Sequence, residues 1–195
     1  MPYLLTESSK PIIENIQNGG IAIFPTDTVY GIGCKMSNRG GVEEIYRLKN
    51  RPVNMSIAVL VNSIESASEI GKLDEAELKA LEAFWPGALT VVVEAKTDVT
   101  IFGISSDNSV GLRYPNQQLI SEIIFVTGPL ATTSLNLHGQ KPVTQPVEVM
   151  EFIKATELNC KSEIPAWPKC TASNRMAARR ANGGAPSRAA GAVSQ

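Results

Sequence analysis

The lengths of the apolar runs limit the folds open to this chain more than any other feature. Ile21 to Phe24, Ile57 to Val61 and Val91 to Val93 are each the length of a buried strand, far short of the roughly 20 residues a membrane helix needs. Between and around them the spacing changes to that of helices. Ile12, Ile13 and Ile16 share one helical face over residues 10–18, and Gly19-Gly20 ends the pattern. Val42, Ile45 and Tyr46 share a face over 42–49, which leaves Lys49 at a helix-to-loop junction. A strand (56–61), a helix (63–70), a longer helix striped by Leu78, Leu81 and Trp85 (74–85) and a strand (89–94) follow, the last two separated by Pro86-Gly87. SVGLRY, a helix over 117–125, a strand over 129–134 and a helix over 147–154 complete the series. Strands alternating with helices, several of the strands polar at both ends, predict an α/β domain with one twisted, mixed sheet flanked by helices.

At 195 residues and 43% hydrophobic composition the chain can bury one substantial core. The expected organisation is a body over 1–156 and an atypical tail over 157–195, where apolar periodicity fails and Ala, Arg, Gly and Ser dominate; disorder is expected there. The net charge of −1 conceals an asymmetry: every acidic residue lies at or before Glu163, so the part up to Glu163 is about −6 and the part after it about +5. A basic tail is either an electrostatic arm for RNA, or an unselected terminus or altered reading frame. The N-terminal MPYLLTESSK lacks the basic and apolar regions of a secretory signal, and Cys34, Cys160 and Cys170 are too few and too scattered for a disulfide framework or a zinc site. A reducing cytoplasm is expected.

Four constellations can carry chemistry. PTDTVYG (25–31) sets Thr26, Asp27, Thr28 and Tyr30 at the end of a strand, where open α/β sheets bind ligands; it is equally compatible with an ordinary turn closed by side-chain bonds. Lys49 and Arg51, one residue apart at a helix end, can converge on a polyphosphate or answer the negative pole of their own helix. Arg113 in the apolar strand GLRYP implies a bound anion or an ion pair. In ATTSLNLHG (131–139), Thr132, Thr133, Ser134 and Asn136 can contact phosphate, ribose or carboxylate, or can close a strand end locally. His138, the single histidine, has no GxSxG motif and no nearby cysteine to serve, and a loop position accounts for it. Neither GxxxxGK[ST] nor GxGxxG occurs, so any nucleotide binds without those glycine-rich devices.

Taken in order, PTDTVYG, KNRP, WPGALT, GLRYP and TSLN resemble the YrdC/Sua5 family of threonylcarbamoyl-adenylate synthases, from about Ile12 to Lys154. The resemblance implies a single YrdC-like domain with an open concave groove. It implies a nucleotidyltransferase that joins L-threonine, bicarbonate or CO2, and ATP with Mg²⁺ into threonylcarbamoyl-AMP and pyrophosphate. The product then serves t6A modification of tRNA position 37 through a downstream transferase complex. Matched motif to motif, Lys49, Arg51, Ser134 and Asn136 would be catalytic; Thr28, Arg113 and Thr132 would hold threonine; Lys49, Arg51, Ser109 and Ser134 would contact the nucleotide. No metal ligand is implied, and a carbamate oxygen needs no strong base, which leaves His138 without a task.

The chain departs from the pattern at three places. Leu60 stands where many relatives have a histidine that touches threonine, Met55 where many have a polar residue, and the usual strand and arginine segment that close over ATP have no counterpart in 157–195. Two other functions fit the resemblance less fully. One is a non-catalytic module for double-stranded RNA or tRNA, which requires Lys35, Arg39, Lys49, Arg51 and Arg113 on one face. The other is carbamoyl-adenylate synthesis as in hydrogenase maturation, whose accompanying acylphosphatase and zinc-finger segments are missing here.

Overall fold

A computed structural model describes residues 3–5, 8–52, 55–97, 101–156 and 160–162. Its elements in chain order are β1 (Tyr3–Leu5), α1 (Ser9–Gln17), β2 (Ile21–Pro25), β3 (Tyr30–Lys35), α2 (Arg39–Leu48), β4 (Ala58–Leu60), α3 (Ile64–Ile70) and α4 (Glu75–Phe84). They continue with β5 (Val91–Glu94), β6 (Ser109–Arg113), α5 (Gln118–Thr127), β7 (Leu130–Ser134), α6 (Pro146–Ala155) and β8 (Cys160–Ser162). The strands form one mixed sheet of eight, in the order β5-β6-β4-β7-β3-β2-β1-β8. β1 lies parallel to β2 and β8, and β4 lies parallel to β6; the other pairs are antiparallel. The α/β class and mixed sheet expected from the alternating pattern are present.

Local chemistry sets the helix starts. Asn38 accepts from Gly41 N–H at 3.0 Å and so caps α2. Asp74 and Glu77 exchange side-chain-to-backbone bonds of 2.7 and 2.8 Å, a capping box that begins α4 at the expected position. Pro146 occupies the first turn of α6, where its missing N–H costs nothing.

Three strands escaped the sequence reading. β3 carries Gly31 and Gly33, which disfavour strands by propensity and read as part of a loop. A Cβ on Gly33 would lie 2.6 Å from Thr132 Oγ1 and 2.9 Å from the Ala131 carbonyl oxygen, and one on Gly31 3.1 Å from the Phe24 ring, so packing demands glycine where propensity opposes it. β1 and β8 have three residues each, too few to show alternation. β8 extends the sheet beyond the boundary expected at residue 156; the rest of the expected tail, 157–159 and 163–195, lies outside the described residues.

Cross-strand register sorts the side chains by face. Val59 stands opposite Ala131, and both point into the side covered by α2, α6, α3 and α4, where two buried clusters meet through Met36. Among the described residues the other side is covered only in part. There Ile12 and Ile16 of α1 and Ile120, Ile123 and Ile124 of α5 pack on Ala22, Phe24, Leu60 and Leu130. Beyond that cover, Val92, Gly111, Ala58, Thr132 and Gly33 stand in register across five strands. A row with so little side-chain volume leaves a hollow above the sheet.

The two kinds of glycine in this row should respond differently to a methyl group. Gly33→Ala is expected to lower the unfolding free energy by about 1–3 kcal/mol through overpacking. Gly111→Ala meets nothing nearer than 3.4 Å and should stay within about 0.5 kcal/mol. Urea denaturation of the two variants measures both.

Candidate active site

The hollow is a cavity of about 740 Å³ whose floor is the Val92, Gly111, Ala58 and Thr132 part of that row. Its walls include Thr26, Lys49, Arg51, Met55, Leu60, Thr90, Ser109, Arg113, Ser134, Asn136 and His138. Among the described residues, four permanent or potential cations line it, Lys49, Arg51, Arg113 and His138, and no Asp or Glu does. Such a cavity favours anions through its local field, whatever the net charge of the body.

Lys49 follows the last residue of α2 and is only 3% exposed. Its Nζ donates to Thr133 Oγ1 at 3.2 Å, to Asn136 Oδ1 at 3.0 Å and to the Ser134 carbonyl oxygen, so all three ammonium hydrogens meet neutral acceptors on the end of β7. Burial, reinforced by the positive charge of Arg51, pulls the Lys49 ammonium down from 10.5 to about 7. Arg51 donates Nη1 to the same Thr133 hydroxyl at 3.1 Å and Nη2 to Ser56 O at 2.7 Å, and its guanidinium lies 5.8 Å from the Tyr46 ring centre. Its buried Nε has no acceptor among the described residues. The Lys49 and Arg51 pair therefore does not face only its own helix end; it reaches across to the opposite wall.

Ser134 Oγ donates to Asn136 Oδ1 at 2.6 Å, while Asn136 Nδ2 donates to Leu137 O at 2.9 Å and Gln140 O at 3.0 Å. The loop that follows is tied down further by His138 N–H to Lys49 O at 2.9 Å. Leu135, between the two polar residues, is fully buried.

Arg113 forms the third cationic element. Its side chain is 14% exposed and pairs with Asp27 Oδ1 at 2.5 Å, Asp27 itself being 9% exposed. Nη1 donates to Thr28 Oγ1 at 3.0 Å and Nε to Gly87 O at 3.1 Å. Gly87 N–H donates back to Tyr114 O at 2.7 Å, which knits the WPG and GLRYP motifs into one unit. The turn before β3 is closed by Thr26, whose hydroxyl donates to Val29 O at 2.6 Å and accepts from Val29 N–H and Thr28 N–H at 3.2 Å. Both readings of PTDTVYG are thus realised together: it is a turn, and it holds the arginine. Thr26, not Thr28, lines the cavity; Thr28 reaches it through Arg113. Thr132 and Ser109 lie on its floor and rim, and Leu60 stands opposite Arg113 in the sheet.

The sequence matches the family described as "Telomere recombination", Sua5/YciO/YrdC, over residues 14–159. The chain belongs to the Sua5/YciO/YrdC family. Among curated relatives of the family, a putative threonylcarbamoyl-AMP synthase of Methanocaldococcus jannaschii is 30% identical over 82% of this chain and 80% of its own length. The threonylcarbamoyl-AMP synthase of Vibrio campbellii is 28% identical over 73% and 79%. Among solved structures, P. abyssi Sua5 complexed with L-threonine superposes with a TM-score of 0.71 at 23% identity, covering 82% of this chain and 48% of that one. E. coli YciO gives 0.70 at 18% identity, covering 86% and 84%. This chain thus spans most of the smaller family members and about half of Sua5.

Two features of the site were not legible in the sequence. Asp27 could be seen as a polar turn residue, but its pairing with Arg113, 86 positions away, could not. His138, assigned only to a loop, lines the cavity. Of the cations whose clustering an RNA surface requires, Lys35 and Arg39 lie outside the cavity, Arg39 being paired with Glu43. Cys34 is buried, and burial pushes its thiol up to about 12, too high for a reactive thiolate. Among the described residues no group of three His, Cys, Asp or Glu could hold a metal, and no helix is long and apolar enough to cross a membrane.

Two consequences can be measured. Asp27→Ala leaves the Arg113 guanidinium buried without its counter-ion and should cost about 3 kcal/mol or more in urea denaturation, a larger loss than an exposed pair such as Arg39–Glu43 would show. Because the folded protein holds Lys49 near 7 and the unfolded chain near 10.5, the unfolded state binds more protons between these values. Stability of the wild type relative to Lys49→Met should therefore rise as pH increases from 7 to 10.

Proposed function

We propose that this protein is an L-threonylcarbamoyladenylate synthase. The observation that carries the reading is a cavity with two separate cationic stations and, among the described residues, no carboxylate in its lining: Lys49 and Arg51 beside Ser134 and Asn136, and Arg113 braced by Asp27. A zwitterionic amino acid and a polyphosphate need two anion sites within one enclosure. The names of the relatives and the threonine-bound Sua5 structure point to the same pair of substrates.

In this reading Arg113 takes the threonine carboxylate, with Thr132 and the Thr26–Thr28 turn around it. The amine and bicarbonate condense to a carbamate with loss of water, and a carbamate oxygen then attacks the α-phosphorus of ATP while pyrophosphate departs. Charge accumulates on the phosphoryl oxygens and the leaving group, so the protein contributes position and cationic stabilisation. Arg51, with a buried Nε still lacking an acceptor, and Lys49 are the groups for those oxygens. Ser109 and Ser134 contact the nucleotide, and Asn136 fixes the relation of Ser134 to Lys49. Among the described residues the cavity wall offers Mg²⁺ no carboxylate, so the ion would be held by the triphosphate itself, and no step here runs through it. The product would pass to a threonylcarbamoyl transferase complex acting on tRNA in the cytoplasm.

Threonine, bicarbonate, ATP and Mg²⁺ together should release pyrophosphate, and omission of threonine should abolish the release. Lys49→Ala and Arg51→Ala should each lower kcat/KM by roughly 10²–10³-fold. Pyrophosphate release that is absent, or indifferent to threonine, rules the activity out. A bound polyanion restores the Lys49 ammonium, so binding takes up a proton. Titration calorimetry should show ATP affinity falling by up to about tenfold per pH unit above 7, with the slope flattened in Lys49→Ala.

A further inference from the structure

We propose that His138 is a direct contact for the terminal phosphates of the nucleotide and for the pyrophosphate that leaves, an inference that rests on the synthase reading. Three observations carry it. The residue is solvent-accessible and lines the same cavity as Lys49 and Arg51, on the side of the Ser134–Asn136 wall. Its backbone is held in place: His138 N–H donates to Lys49 O at 2.9 Å, Gln140 N–H donates to Leu137 O at 3.0 Å, and Asn136 Nδ2 bonds Leu137 O and Gln140 O. Four such ties fix the backbone from which the side chain projects, which lowers the entropy lost when a ligand orders the loop. Finally, among the described residues no carboxylate lines the cavity beside the ring. The nearby acids Glu148 and Glu151 line a separate hollow of about 280 Å³ on the far side of the loop, where Glu148 is occupied by the N–H groups of Thr144 and Gln145 at 2.8 and 2.9 Å.

The chemistry follows from position. Lys49 has each of its ammonium hydrogens engaged by the protein, so it sets the field more readily than it forms new bonds. An imidazole at the rim has ring N–H to donate to phosphate oxygens. His138 would thereby act on the outer phosphates, leaving Arg51 to the inner ones, and would favour a charged leaving group over a neutral one.

Because the chain contains a single histidine, its ring signals can be followed without assignment. The full-length protein is titrated with inorganic pyrophosphate and separately with ATP, each with Mg²⁺, by calorimetry and by imidazole NMR. The expected result is that the His138 Hε1 and Hδ2 signals move in step with calorimetric saturation by either ligand and stay in place with AMP. His138→Gln should weaken pyrophosphate binding about tenfold while leaving threonine binding within twofold. Binding of pyrophosphate and ATP with unmoved imidazole signals, or equal affinity in His138→Gln, overturns this inference and leaves the synthase reading standing. Failure of the wild type to bind ATP or pyrophosphate at all overturns both.

Discussion

The site depends on one buried ammonium. Lys49 closes α2, yet its three bonds all run to residues 84 to 87 positions further along, at the end of β7. Together with the Arg51–Thr133 bond and the His138 N–H to Lys49 O bond, that tie fixes the helix end that carries Arg51 against the strand end that carries Ser134 and Asn136. The cost of the arrangement is a cation held in a poorly hydrated place, compensated by neutral oxygens rather than by a carboxylate. Such a lysine is close to losing its proton near neutrality, and an arriving polyanion relieves the strain. Position and affinity for anions therefore come from the same interaction.

Arg113 is held by a different device. Asp27 neutralises it, and the Gly87 carbonyl and Thr28 hydroxyl fix its plane, so this guanidinium is rigid and its charge is largely answered before any ligand arrives. The two stations thus differ in kind. The Lys49–Arg51 end carries excess positive charge suited to a polyphosphate, whereas the Arg113 end offers oriented donors suited to a small carboxylate. The shallow floor between them exists because Thr132, Ala58 and Gly111 fall in register, and a large side chain at these positions would occupy the ligand's place.

The sequence was most readable where local rules and burial agree. Eleven elements, from α1 to α6 and from β2 to β7 without β3, lie close to their expected positions because apolar spacing, caps at Asn38 and Asp74, and Pro86-Gly87 all act over a few residues. β3 was missed because Gly31 and Gly33 answer to the Phe24 ring and Thr132, contacts that no local window contains. The candidate residues Lys49, Arg51, Ser109, Arg113, Thr132, Ser134 and Asn136 do line one cavity, and their order along the chain was enough to suggest that they belong together.

By itself, then, the sequence determined the α/β class, the family and the polar residue types on offer, because periodicity and motif order are properties of the linear chain. Tertiary structure alone decided which of those residues meet. It paired Asp27 with Arg113, satisfied Lys49 on the far strand, set Thr28 behind the arginine, and brought His138 to the cavity wall. Each of these joins groups dozens of residues apart, and their cause is the strand order β6-β4-β7-β3, which a one-dimensional pattern does not contain.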